Sequence, residues 1–474
     1  MRLALLLLPL ALVAQPSRHS VFHPRPAATD PTQLTAAEVD ALVTNAALAV
    51  DGDGAAIVVA DRRGNALAIY RRPAASDATV EKALSLARTG AFFSSYGTPL
   101  SSRTVRSISR VNFPEGIPNQ ASGALYGIEN TNRGCLDLPG LPRLLNASQT
   151  AYGQGIATVP GGVPLFRGGL TVIGGIGVAG LATDDADEYA AATAAIRAGF
   201  FVRTPLPDPG AVYINGFQLP FVNDGTPAGV RPASAPGGAY DLAPRAGSPA
   251  AEAWIVGPLA GSALSVADVT AIVQNASATA QRTRAQIRLP LGTRSSMAIS
   301  VADLDGRILA LYRMPDSTVF SNDVAVTKAR NMVYFSGPDR DPRDLPGLPL
   351  GTAVTNRTIG FGAQIFFPSG IWNTQPGPFY SMYLDDLANP CTQGHQPANP
   401  NQSGIVFFPG SAPLYRNGKL VGGLGVSGDG VEQDDYVTAG GALGYEAPAS
   451  IRADQFVIRG VRLPYWLFPR NPEQ

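Results

Sequence analysis

The sequence predicts an α/β chain of the α+β type, arranged as two duplicated domains. Three observations predict it. One ordered set of motifs runs through residues 34–222 and recurs through 264–467. Each set opens on a capped helix start, and each contains an apolar hairpin broken by an Asp-x-x-Gly turn. The repeat unit is roughly 190–200 residues long, well beyond the period of about 20–50 residues seen in solenoids. Each unit is therefore a whole domain able to bury its own core. The domains span 34–222 and 262–474, and the Gly-, Pro-, Ala- and Ser-rich stretch 223–261 reads as the linker.

In chain order, Leu34-Thr35-Ala36-Ala37-Glu38-Val39 matches Leu264-Ser265-Val266-Ala267-Asp268-Val269. Thr35 and Ser265 are N-caps. Glu38 and the shorter Asp268 can reach back as a capping box, and the flanking Leu–Val pairs have staple spacing. Next, 58–71 and 300–313 are hairpins turning at Asp61–Gly64 and Asp303–Gly306, where Asp bonds its own backbone and Gly accepts positive φ. Helical stretches follow at 80–93 and 324–335, and a Lys-Ala pair in each (Lys82-Ala83, Lys328-Ala329) places both lysines in one slot. Ser102-Arg103-Thr104 and Phe113-Pro-Glu-Gly-Ile117 match Asn356-Arg357-Thr358 and Phe367-Pro-Ser-Gly-Ile371. Gly174–Gly180 and Gly422–Gly428 follow, each leading into an acidic helix start.

Both glycine runs contain a literal G-x-G-x-x-G. A dinucleotide site needs a helix N-terminus directly after the glycines. Here the next helix begins several residues on and opens with Asp184, Asp185, Asp187 and Glu188, or with Glu432, Asp434 and Asp435, which would repel phosphate. The glycines therefore read as a strand whose small residues permit close packing.

Charge balances at 36 basic and 36 acidic residues, which argues against a nucleic-acid partner. Met1-Arg2 before the apolar run 3–13 reads as a signal peptide, residues 1–14, too short for a membrane span of about 20 residues. An extended tail, 15–33, follows. The expected localisation is periplasmic or secreted, with no membrane span. Two thiols in an exported chain usually pair. Cys135 and Cys391 lie in corresponding loops, so they read either as a bridge between the domains or as two unrelated loop thiols.

Only three of the 36 cations are lysines: Lys82, Lys328 and Lys419. Where Arg is the default cation, a repeated Lys marks a place suited to a compact point charge. That charge faces either an anionic ligand group or a structural ion pair. Arg71 with Arg313, and Arg103 with Arg357, carry the same two readings. His19 and His23 precede the domains, leaving His395 as the one histidine inside them. Cys391-x-x-x-His395 is a weak metal candidate, because a zinc site wants four ligands. No GxSxG elbow accompanies it, and no catalytic residue is assigned.

The ordered motifs, occurring twice, resemble the GlcG/HbpS-like family of haem-associated proteins. The marks are the Leu-[ST]-x-x-[DE] start, the hairpin ending in Arg71 or Arg313, the Lys-Ala helix, and the Gly-Gly-[IL]-Gly-Val-[AS]-Gly strand before an acidic helix. The resemblance implies an antiparallel sheet flanked by helices (profilin-like), subunit assembly through sheet or helix faces, and binding of haem or a related small ligand. It implies that Arg71, Lys82, Arg103, Arg313, Lys328 and Arg357 face anionic groups such as propionates. The long insertions 118–160 and 372–410 depart from the family, and haem would need a Tyr, Lys or water ligand, or His395 in one half. The expectation is an exported haem- or small-ligand-binding protein without turnover. The alternatives are a structural or assembly module, and an enzyme acting on a small oxygenated substrate.

Overall fold

The computed structural model describes residues 33–135, 144–145, 151–152, 155–202 and 211–474. The predicted signal peptide, His19, His23 and all of the predicted tail but its last residue lie outside the described residues. Both N-cap predictions hold as full capping boxes: Thr35 with Glu38 begins helix α1 (Ala36–Ala49), and Ser265 with Asp268 begins helix α5 (Val266–Arg282). The staple residues Leu34, Val39, Leu264 and Val269 are buried. In the first hairpin, Gly64 sits at φ +82° while the Asp61 carboxylate accepts from the backbone of Arg63 and Asn65, each at 2.9 Å. Gly306 at φ +83° repeats the turn.

Each copy forms a five-stranded antiparallel sheet. The first runs Gly162–Arg167, Thr171–Ala179, Ala56–Asp61, Ala66–Arg71, Ala239–Leu242 across the sheet. The second repeats that order as Ser411–Arg416, Lys419–Ser427, Ala298–Ala302, Ile308–Arg313, Ala253–Val256. Helix α2 (Asp77–Phe93) covers one face of the first sheet. Helices α1 and α4 (Asp184–Arg197) cover the other. In the second copy α6 (Phe320–Phe335) takes the place of α2, and α5 with α9 (Val431–Gly441) takes that of α1 and α4. Strand Ala56–Asp61 is buried throughout. Ile57 and Val59 feed the core under α1 and α4, while Ala56, Val58 and Ala60 feed the one under α2, as a two-residue period between two helical layers requires.

The glycine runs are strands, and what they meet explains their composition. A Cβ on Gly175 would collide with the backbone of Ala87 and Ala91, and one on Gly177 with that of Ala83 and Ala87. Gly423 and Gly425 lie equally close to Ala329 and Ala325. The glycines let one helix lie directly on the sheet.

The connecting stretch 223–261 is more than a tether: it supplies the edge strand of each sheet, Ala239–Leu242 to the first and Ala253–Val256 to the second. The two copies also share a core. Phe93 stacks on Phe320 with ring centroids 4.1 Å apart, and the Val319 amide donates to the Phe92 carbonyl at 2.9 Å. Of the two thiol readings the bridge is correct. Cys135 and Cys391 form a disulfide across the copies, with Cα atoms 5.5 Å apart.

Candidate functional site

The six predicted cations divide by the elements that hold them. Arg71 ends its strand on Asp77 (2.7 Å) and Asp241 (2.9 Å), the latter from the linker's edge strand. Its counterpart Arg313 is 2 % exposed, salt-bridged to Glu252 at 3.3 Å and bonded to the Ala251 and Ser317 carbonyls. Neither joins the other four. Lys82 meets Asp184 (3.1 Å) and Arg103 meets Glu188 (2.7 Å) and Asp185, all on the first turns of α4. Lys328 and Arg357 meet the adjacent Asp434 and Asp435 of α9. The acidic helix starts thus receive the cations.

The pairing Arg103–Glu188 recurs as Arg357–Asp435. In both copies the carboxylate also accepts a backbone amide 3.0 Å away, from Asn223 or from Leu467. An arrangement repeated to that detail is a device of the fold.

The lysines do not share a slot, and this corrects the prediction. Arg88 donates to the Gly64 carbonyl and Arg330 to that of Gly306, each at 2.9 Å, so these two arginines correspond. The hydroxyl pairs Ser76–Thr79 and Thr318–Ser321 fix the same alignment. Lys328 then corresponds to Leu86, and Lys82 to Val324. Leu86 and Lys328 indeed flank matching glycines, Gly161 and Gly410, opposite Asp187 and Asp434. A helix brings residues four apart onto one face, so a Lys-Ala pair displaced by one turn still fits the apolar pattern.

Lys328 is fully enclosed and does not face a ligand. Its ammonium donates to the Val426 carbonyl (2.7 Å) and to Asp434 Oδ2 (3.0 Å) and lies 5.0 Å from the Phe408 ring centroid. Burial pulls Lys328 below the usual lysine range and pushes Asp434 up to about 7, while their mutual attraction opposes both shifts. In the first copy burial likewise pushes Asp187 up to about 7. As pH rises from about 4 to 7, the unfolded chain releases a proton that the native Asp187 still holds, so native stability falls across that window. Asp187→Asn is expected to remove this loss, a relative gain on the order of 4 kcal/mol at pH 8 over pH 4, read from urea midpoints at the two pH values.

Around Arg103 the first copy opens a cleft of about 370 Å³, lined by Arg103, Arg106, Arg110, Glu115, Asp184 and Asp185 among others. Three of these come from α3 (Ser102–Ser109) and the residue that ends it, Arg110. Their spacing of i, i+3 and i+7 puts the three guanidinium groups on one face, with Val105 and Ile108 buried behind them. Arg106 and Arg110 escaped notice in the sequence, although that spacing was the available signal.

His395 is held by Asp344, which is buried and accepts from His395 Nδ1 (2.6 Å), the His395 amide (3.0 Å) and the Tyr334 hydroxyl (2.5 Å). The imidazole is 36 % exposed, and its Nε2 has no partner among the described residues. Among the described residues no group of three or more His, Cys, Asp or Glu side chains is arranged to hold a metal ion, so a protein-only metal centre at His395 is not supported there. No helix of the described residues is long and apolar enough to cross a membrane.

Among curated proteins, the chain is 26 % identical over 154 residues to the corrinoid adenosyltransferase PduO of Salmonella typhimurium, covering 32 % of this chain and 33 % of that one. It is 28 % identical over 138 residues to an uncharacterized 15.0 kDa protein of the dhaT–dhaS intergenic region of Citrobacter freundii, covering 29 % of this chain and 68 % of that one. The chain thus spans about a third of the adenosyltransferase's length. Among solved structures, a PduOC–haem complex is similar at 22 % identity, covering 38 % of this chain and 94 % of that one, with a TM-score of 0.24. The family model described as "Haem degrading protein HbpS-like" matches residues 32–196 and 264–442, most of the chain in two segments, and the protein belongs to that HbpS-like family as a tandem pair.

Proposed function

We propose that the protein is an exported haem- or small-ligand-binding member of its family, acting by binding rather than by turnover. Family membership supports a small-molecule partner. The observation that carries haem is the Tyr334–Asp344–His395 chain. A carboxylate fixed on Nδ1 sets the tautomer and leaves Nε2 as the free donor, the arrangement typical of metal-ligating imidazoles. One strong nitrogen donor can hold haem iron, and His395 is the histidine the two copies offer for it. His395 would hold the iron, and Asp344 would orient the ring. When bound, the iron centre would supply the redox and small-ligand chemistry. The arginine cleft contains no His, Cys, Met or Tyr and does not suit iron ligation.

A structural role is favoured for part of the second copy, where Lys328 and Arg313 are enclosed by protein partners. The test is titration of haemin into the purified mature protein, followed in the Soret band. A saturable shift that is lost in His395→Ala is expected. An equal shift in that variant would remove His395 as the ligand, and the absence of any saturable shift would remove haem.

A further inference from the structure

We infer that the first copy carries a second, separate binding site, the α3 cleft, for a small amphoteric or hydroxylated monocarboxylate. The inference rests on the small-ligand reading above but not on haem. Arg103 is committed to Glu188 and Asp185. Arg106 has no side-chain partner among the described residues. Arg110 bonds Glu115 at 2.9 Å, but that carboxylate is 61 % exposed, and the buried Nε of Arg110 has no partner. Exposed ion pairs contribute little, about 0–1 kcal/mol, so an incoming carboxylate can displace Glu115 and engage Arg106 and Arg110 together.

The named lining groups also set the charge of the ligand. Three arginines face three carboxylates, Glu115, Asp184 and Asp185, so a polyanion gains little. A single carboxylate on the arginines, with ammonium or hydroxyl donors on Asp184 and Asp185, matches both halves. The cleft's volume of about 370 Å³ admits such a ligand with room for water.

The second copy shows which of these residues the fold requires. Helices α3 and α7 (Asn356–Gly362) correspond through matching caps: Ser101 and Thr355 each donate at 2.6 Å to the carbonyl of Phe221 or Tyr465. Arg103 persists as Arg357. Arg106 becomes Gly360, packed against the Phe407 backbone where no side chain fits. Arg110 becomes Gln364, buried and turned to the Gly360 carbonyl (2.9 Å). Glu115 becomes Ser369. The open charged cleft therefore belongs to the first copy, one site per chain.

The test uses the full chain with L-serine and L-lactate as probes and citrate as the polyanionic control, measured by calorimetry and saturation-transfer NMR. Saturable binding of one L-serine or L-lactate per chain is expected, with citrate weaker. Arg106→Gln combined with Arg110→Gln should weaken binding at least about tenfold, the loss of charge-assisted hydrogen bonds, while leaving the haemin response intact. Failure of both probes to bind at about 10 mM, a concentration that would fill even a millimolar site, would overturn the inference whatever haemin does. Undiminished binding in the double variant would also overturn it. Binding of L-serine without haemin would sustain the cleft and discard haem alone.

Discussion

Lys328→Ala is expected to destabilise the protein by about 3–5 kcal/mol, the usual result of stripping one partner from a buried ion pair, whereas Lys328→Leu should cost far less. The alanine variant leaves a cavity beneath Phe408 and an uncompensated carboxyl group at Asp434. The leucine variant recreates what the first copy already contains, Leu86 opposite Asp187, where burial keeps the carboxyl group largely protonated up to about pH 7. Replacing a buried pair with apolar volume is often neutral. The leucine variant should therefore lose stability as pH rises above about 4 and keep losing it beyond about 7, because without Lys328 burial holds the Asp434 carboxyl still higher. Urea unfolding of both variants at pH 6 and pH 8 checks this. Equal losses for Ala and Leu at pH 6 would contradict the correspondence of Lys328 with Leu86.

Gly425→Val should be at least as damaging, with a cost above about 3 kcal/mol, beyond the usual range for overpacking. The added Cβ would meet the Ala325 carbonyl and the Ala329 amide, backbone atoms of α6 that cannot rotate away. Helix and sheet would have to separate along their whole contact. Gly177→Val repeats the experiment in the first copy against Ala83 and Ala87. Soluble yield and thermal midpoint report the outcome. A midpoint within about 2 °C of the parent protein, equivalent to well under 1 kcal/mol, would show that the glycines do not set the helix-to-sheet distance.

Local chemistry was legible in the sequence wherever it is short-range. The capping boxes at Thr35 and Ser265, the Asp-x-x-Gly turns and the glycine strands all follow from a few adjacent residues. The helix predicted at 80–93 begins at Asp77, and the one at 324–335 begins at Phe320, because their first turns are mostly polar. The edge strands Ala239–Leu242 and Ala253–Val256 lie in Gly- and Pro-rich sequence and form only because each sheet offers them an unpaired neighbour. Helix α8 (Tyr380–Ala388), inside the second insertion, has just Met382 and Asp386 buried and so lacks an apolar stripe to read.

The candidate site was less legible, for a related reason. Repetition identified Arg103 and Arg357 correctly as a pair, but what repeats is the ion pair that holds the fold. The residues that distinguish the copies, Arg106 and Arg110 in one and Lys328 and His395 in the other, are by nature those that do not repeat. Asp344, the partner of His395, lies 51 residues away on another loop, a distance across which sequence carries no pairing signal.

The central claim is that the duplicated chain has kept one fold and divided its functions between the copies. Haemin stoichiometry tests it most directly. Because His395 is the sole histidine of the two domains, a Soret titration of the purified protein should saturate at one haem per chain and fall to none in His395→Ala. Two equivalents per chain, or one that survives the substitution, would contradict it.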